Sequence, residues 1–405
     1  MAQLGTRPAD TYSPLYFLAS LGAGGLTVTF FMYLMFWVPH IGRPVPIFED
    51  LTAAFGSGSI PLQTAITVAV AGIAFFAILN VKSLIWNVRT LNRFKSTPAY
   101  AALRASNGET TLLAAPLAAA MTVNAMFIVG LVFVPGLWRV VEYLFPLALI
   151  AFIAIGVWAF LLIGDFLGRV LTKGGVFDVT AHNSFAQLLP AFALAMVAVG
   201  LAAPAAMSAN ANIVGASLIL STFFGTAAVL YTVVASITAF SSMLHYGTAR
   251  EAGPTLMVIV PIMTVLGIMA LRQTHGLHVG FGVHDTAGET MIFLARLLTV
   301  QVLFLMLGML VLRRQAYFTD FIFGDKTSPG SYALVCPGVA LSVMIQFFVN
   351  KGLVATDLIE KFGLAYWLIT AIALAFQVMM ILLVLRLNRQ HFLTGGSPIN
   401  IAPAE

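Results

Sequence analysis

Few side chains in the apolar part of this chain can do chemistry, and those that can are uncharged. They are hydroxyls and amides: Ser20, Thr27, Thr122, Asn124, Gln187, Thr264, Ser342 and Gln346. A hydroxyl or amide can donate hydrogen bonds to a passing anion, and without charge it would bind that anion weakly and release it quickly. Each could equally hydrogen-bond a neighbouring helix. Asn124 and Gln346 are the strongest candidates for ion contact, because an amide supplies two donors.

The chain has one cysteine, Cys336. A single cysteine excludes a disulfide within the chain and a cysteine-cluster metal site. Its position directly before Pro337 leaves two interpretations open. The thiol either faces an internal cavity or packs as a small buried hydrophobe, as free cysteines usually do.

Histidine positions and missing motifs argue against an enzyme. Haem in a membrane protein needs histidines deep within helices, and here they lie at or beyond the ends of apolar segments. His275, His278, His284 and Asp285 share a loop too rich in glycine for a firm metal site. The chain has no phosphate-binding loop and no readable catalytic triad. We therefore expect no enzyme activity, no cofactor and no metal.

The composition of the chain indicates which kind of secondary structure must position these groups. Sixty per cent of the residues are hydrophobic and 9% are charged, whereas a soluble domain carries about 25% charged residues. So little charge cannot cover a water-facing surface, which predicts an all-α integral membrane protein. Residues 1–13 lack the pattern of a cleaved signal peptide, so the first apolar segment is expected to remain.

Crossing the hydrocarbon core takes about 20 apolar residues. The sequence predicts one transmembrane domain over residues 1–405, with ten transmembrane helices near 14–38, 61–88, 112–135, 141–171, 183–206, 211–244, 252–273, 287–314, 330–350 and 361–388. Asp165 and Arg169, one turn apart in the fourth helix, are expected to pair.

The distribution of basic residues predicts the orientation. With both termini cytoplasmic, 14 of the 20 Lys and Arg residues lie on the cytoplasmic side, as the positive-inside rule requires. The predicted location is the cell membrane, or the inner membrane if the chain is bacterial. The basic residues Lys82, Arg89, Arg93 and Lys95 would meet anionic lipid headgroups or concentrate anions.

Alternate segments share a repeat of five residues that ends in proline. The four copies are LLAAP, AQLLP, MVIVP and ALVCP, ending at Pro116, Pro190, Pro261 and Pro337. Tyr16–Ser20 takes the same place in the first segment, followed by Gly22, Gly24 and Gly25. Proline inside a helix kinks it, and small residues permit close packing. The pattern predicts five helical hairpins in a quasi-five-fold ring, with kinked helices around a central pore.

Several stretches resemble the tellurite-resistance/dicarboxylate transporter family, which includes the plant slow anion channels and their bacterial homologues. SPLYFLASLGAGGL resembles the family's first span, and HNSFAQLLPAFALAMVAVGLAAP its fifth. STFFGTAAVLYTVV, EAGPTLMVIVPIM and SPGSYALVCPGVALS are similar to the sixth, seventh and ninth. The resemblance covers nearly the whole chain, and its strength lies in the order and spacing of motifs that are individually weak.

The resemblance implies a homotrimer in membrane lipid, without a nucleic-acid partner, that moves small anions. Those anions would be sulfite or other sulfur oxyanions, chloride, formate or C4-dicarboxylates. In the slow anion channels a phenylalanine before the ninth-span proline plugs the pore; here that position is Cys336. The candidates for a pore-lining or gating role are therefore Phe17, Ser20, Asn124, Gln187, Phe192, Cys336 and Gln346, with Phe127 and Phe347 as further gate candidates. The alternative function is a non-transporting membrane subunit or assembly protein of a larger complex.

Overall fold

The structure is a computed structural model, and it describes residues 7–173, 177–178, 180, 183–283 and 286–393. These residues form α-helices joined by shorter 3-10 and π-helical turns, and they contain no strand. The predicted all-α class is confirmed. His284 and Asp285 lie outside the described residues.

Ten helices in the described part of the chain are long and apolar enough to cross a membrane, which confirms the predicted number. We name them α1 to α10 in chain order: Pro14–Trp37, Ile60–Phe94, Asn107–Phe133, Val141–Lys173, Phe185–Met207, Ala211–Tyr246, Arg250–Phe281, Ala287–Arg314, Pro329–Val354 and Leu364–Leu393. A chain with ten such helices is a multi-pass membrane protein.

Burial alternates along the chain. Between 61% and 94% of the apolar stretch is buried in the odd-numbered helices, against 17% to 33% in the even-numbered ones. The even-numbered helices expose large apolar side chains such as Ile78, Leu161 and Leu230. The odd-numbered helices are thus the inner ones, and the even-numbered helices present an apolar surface suited to lipid.

Helix contacts follow the same alternation. Each odd-numbered helix packs against the even-numbered helix that follows it, which gives the five predicted pairs. The odd-numbered helices also contact one another: α1 contacts α3, α3 contacts α5, α5 contacts α7, α7 contacts α9, and α9 contacts α1.

All five odd-numbered helices begin with a 3-10 segment before the α-helical part. These segments are Pro14–Tyr16, Asn107–Leu113, Phe185–Leu188, Arg250–Met257 and Pro329–Leu334, and we call them together the 3-10 collar. The collar segments contact one another in the same cyclic order as their helices. In four of them the preceding serine accepts a hydrogen bond from the backbone N–H two residues later, at 3.2 to 3.3 Å: Ser13, Ser106, Ser184 and Ser328.

The repeat prolines lie where the collar passes into α-helix. Pro116, Pro190, Pro261 and Pro337 are each the second or third residue of the α-helical part. In a first turn the missing N–H of proline costs little, because the first backbone N–H groups of a helix lack partners within it. The sequence placed these prolines as kinks within helices, whereas the structure shows them marking a change of helix type.

Two helices run further than their apolar residues predict. The sequence ended the seventh span at residue 273, but α7 continues to Phe281 and stops at Gly282, which has a left-handed φ of 68°. α2 likewise extends to Phe94 instead of ending at 88. A fall in hydropathy does not end a helix; a capping residue such as Gly282 does.

Small residues of α1 allow close packing against α9. A Cβ on Gly22 would lie 2.8 Å from Cγ1 of Val335, and one on Gly25 would lie 2.8 Å from Cγ1 of Val339. Both distances are too short for carbon atoms that are not bonded. The role predicted for these glycines is therefore confirmed.

Candidate functional site

A cavity of about 640 Å³ is lined by all five odd-numbered helices and also by part of α4, including Phe145 and Phe152. Towards the collar its wall includes Gly22, Phe192, Pro261 and Cys336, which lie in the first two turns of the α-helical parts of four inner helices. At the other end it reaches His278, in the last turn of α7. Side chains from all five inner helices line it, and most of them are apolar.

Three predicted site residues line this cavity: Asn124, Phe192 and Cys336. The further gate candidates Phe127 and Phe347, together with Thr264, also belong to its wall. The Asn124 side-chain amide donates to the carbonyl oxygen of Ala120, one turn earlier, at 3.0 Å. Asn124 is half-buried, and its side chain contributes a polar group to an otherwise apolar wall.

The other four candidates lie outside the cavity wall: Phe17, Ser20, Gln187 and Gln346. All four are buried. The Ser20 hydroxyl donates to the backbone carbonyl of Asn80 in α2 at 3.0 Å. The backbone carbonyl of Gln346 accepts from the Asn350 side chain at 2.8 Å. Ser20 is thus held by packing between helices, which was the alternative that the sequence left open. The Asn350 contact lies within α9 and involves only the backbone of Gln346.

The charged side chains of the described cavity wall, Arg272 and Lys351, are both cations. The lining includes Arg272, His275, His278 and Lys351, and no described Asp or Glu contributes to it. Arg272 lies within α7, and its guanidinium donates to the backbone carbonyl of Val199 in α5 at 2.6 Å. Neither Arg272 nor Lys351 forms an ion pair with a described residue. The wall therefore presents positive charge that no carboxylate among its described residues offsets.

The ionisable side chains of the cavity wall lie towards the end away from the collar. His275, His278 and Lys351 are exposed there, which marks this end as the mouth. Arg272 lies one helical turn inward from His275 and is half-buried. An anion entering at the mouth would meet these groups first, because positive potential in a low-dielectric cleft attracts anions.

The collar closes the opposite end. None of its described residues lines the cavity, and each of its five segments contains buried side chains, including Tyr16, Leu112, Leu188, Leu256 and Tyr332. Because these segments also contact one another in a closed cycle, the cavity ends against packed protein on this side.

A buried carboxylate fastens one collar segment. Glu109, in Asn107–Leu113, pairs with Nε of Arg104 at 3.1 Å and with the guanidinium of Arg169 in α4 at 2.6 Å. Asp165 pairs with Arg104 instead, at 3.1 Å. The expected Asp165–Arg169 pair is therefore wrong: a buried carboxylate needs its partners more than an exposed one does, and Glu109 takes Arg169.

Sequence reasoning missed Arg272 because it placed that residue at the end of its span. The signal was the absence of any proline after Pro261 until Pro329, which leaves no strong helix breaker near Arg272. The described residues contain no group of three His, Cys, Asp or Glu side chains that could hold a metal ion.

With this geometry defined, the chain can be compared with known proteins. It matches no protein-family model and no curated protein.

Proposed function

We propose that this chain is an anion channel or secondary transporter of the tellurite-resistance/dicarboxylate type. Its five inner helices would form a ring around a central path, and the cavity between them would be the open part of that path. The cyclic contacts of α1, α3, α5, α7 and α9 support the ring. The family resemblance of the sequence supports the same arrangement.

One observation carries the proposal: the described wall of the cavity contains Arg272 and Lys351 but no carboxylate. A charged side chain within a membrane-spanning helix is costly and generally marks a substrate path. A cation there stabilises an anion and repels other cations. Further along the cavity, the hydroxyl group of Thr264 and the amide group of Asn124 would stabilise the anion by hydrogen bonding.

The proposed substrates are the small anions that the resemblance implies: sulfite or other sulfur oxyanions, chloride, formate or C4-dicarboxylates. All are small compared with the drug-sized ligands that pockets of roughly 300 to 1,000 Å³ hold.

Assembly and orientation belong to the same proposal. We propose a homotrimer in the cell membrane with both termini cytoplasmic, as the resemblance and the basic-residue distribution imply. The collar would then lie at the cytoplasmic side, and Arg272 would lie nearer the opposite side. Mass measurement of the purified protein in detergent tests the trimer, and labelling of cysteines placed in loops tests the orientation.

Flux in proteoliposomes tests the function. We expect the protein to carry anions above the rate of empty vesicles, with a reversal potential that follows the anion gradient. Arg272→Gln should lower flux by about 10- to 100-fold, the value of a charge-assisted hydrogen bond. Arg296→Gln is the matched control, because it removes the same charge from exposed surface of α8 outside the cavity.

Two outcomes would contradict the proposal. Equal losses in the two variants would show that the charge in the cavity has no special role. An absence of anion flux, together with stable co-purification of another protein, would favour the alternative of a membrane subunit in a larger complex.

A further inference from the structure

A second depression lies on the outside of the molecule, between α2 and α3. We call it the lateral groove, and its volume is about 760 Å³. Its lining residues lie between Ala74 and Arg89 in α2 and between Met126 and Phe133 in α3. All of them except Lys82 and Arg89 are apolar or aromatic, so the groove has a long apolar part and two cations.

The two cations lie towards one end. From Ala74 to Arg89 the groove follows α2 for about 22 Å, at 1.5 Å per residue. Lys82 and Arg89 occupy the second half of that length, and Trp86 lies between them. Tryptophan favours the level of the lipid headgroups, so this half is suited to the membrane interface. The apolar half then reaches into the hydrocarbon core, which is about 30 Å thick.

Neither cation has an acidic partner. Lys82 and Arg89 are both exposed, and neither forms an ion pair with a described residue. The groove lining contains no carboxylate in the described chain. A groove with two cations at one end and an apolar lining along the rest favours the binding of an amphipathic anion. Such a ligand has a long apolar part and its charge at one end.

We propose that the lateral groove binds an anionic phospholipid. The phosphate lies against Lys82 and Arg89, and one acyl chain lies along Ala74, Ala77 and Ile78 towards Val129 and Phe133. A basic recess between transmembrane helices is suited to anionic headgroups. A zwitterionic lipid fits less well, because its own cation would lie close to Lys82 and Arg89. This site is independent of the proposed anion path.

Native mass spectrometry of the purified full-length protein tests the proposal. The protein is released from detergent with phosphatidylglycerol or phosphatidylcholine added, and retained lipid is counted. We expect phosphatidylglycerol to be retained in preference to phosphatidylcholine. Lys82→Gln with Arg89→Gln should weaken phosphatidylglycerol retention by about 30-fold, since each cation near a membrane surface contributes about a fivefold factor.

A matched control distinguishes lipid binding in the groove from general electrostatic attraction between anionic lipid and basic residues. Arg93→Gln with Lys95→Gln removes the same charge from the same end of α2, at exposed positions outside the groove lining. This pair should leave retention unchanged. Ala74→Phe fills the apolar half of the groove without altering its charge. We expect this variant to abolish the retention of phosphatidylglycerol. Glycerol phosphate, the headgroup without its chains, should not compete.

Three results would overturn the proposal. The first is equal retention of the two lipids by the unaltered protein. The second is an equal loss in the two double variants. The third is a disulfide between two chains that both carry Ile78→Cys, because a second copy of the chain would then occupy the groove.

Discussion

Ser20 and Asn80 hold each other across the α1–α2 interface by reciprocal hydrogen bonds. The Ser20 hydroxyl donates to the Asn80 backbone carbonyl at 3.0 Å, and the Asn80 amide donates to the Ser20 carbonyl at 2.8 Å. Both residues are fully buried. A residue that looked suited to ion contact is thus part of the helix packing, and Asn80 explains why.

Removing Asn80 should destabilise the protein without changing the selectivity of the proposed anion path. Asn80→Ala loses the two donations of its amide to Ser20. Hydrogen bonds between membrane helices contribute about 0.6 kcal/mol on average, so we expect a loss of about 1 to 2 kcal/mol. Denaturant unfolding in mixed micelles measures it. Thr67→Ala, which removes an exposed bond within α2 itself, should have almost no effect. Altered ion preference in Asn80→Ala would instead place this pair on the path.

Close packing of α1 and α9 should make Gly25 intolerant of a methyl group. Gly25→Ala would bring Cβ to 2.8 Å from the branched side chain of Val339, which has little freedom to move. Overpacking of this kind costs about 1 to 3 kcal/mol. Gly338→Ala is the control: its Cβ meets the flexible side chain of Met380, which can rotate away. Thermal unfolding should separate the two variants, and equal losses would contradict this account.

A larger side chain at position 336 should obstruct the proposed path. Cys336 lines the cavity near the collar, where the first helical turns converge. Cys336→Phe should therefore reduce anion flux in proteoliposomes, whereas Cys336→Ala should maintain or increase it. Unchanged flux in the Phe variant, with normal folding, would place the path away from this residue.

Removing the charge of Glu109 should lower the free energy of unfolding more than removing the charge of Asp165. Glu109→Gln leaves Arg104 and Arg169 without their buried partner, and breaking a buried pair costs about 3 to 5 kcal/mol. Asp165→Asn breaks only a pair at the surface, worth less than about 1 kcal/mol. The free energy of unfolding should show this order. The reverse order would mean that Glu109 does not fasten the collar.

The composition and the proline repeat predicted the number of helices and their division into inner and outer ones. These properties could be predicted because they depend on local sequence. Apolar length alone gave ten spans, and the proline repeat separated inner helices from outer ones. Ends were less predictable: α7 passes Arg272 and His275 because Gly282, not polarity, stops it. The sequence therefore placed Arg272 at the end of a span, whereas the structure shows it in the wall of the cavity.

Side-chain partners were harder to predict, because they depend on which helix faces meet. Nothing near Ser20 in the sequence indicates Asn80, which is 60 residues away. Cys336 could be placed at the cavity because it lies directly before a repeat proline, whereas Phe192 was one of four phenylalanines considered as a gate and its position had no such signal. Gln187 lies within the collar segment and Gln346 later in its helix, and neither lines the cavity.

The helix type of the collar sets its length. A 3-10 helix rises about 2.0 Å per residue and an α-helix about 1.5 Å. The eight residues Arg250–Met257 therefore extend about 16 Å, where an α-helix of the same residues would extend about 12 Å. The length of this collar segment therefore depends on how its backbone is wound, and the same eight residues wound as an α-helix would be about 4 Å shorter.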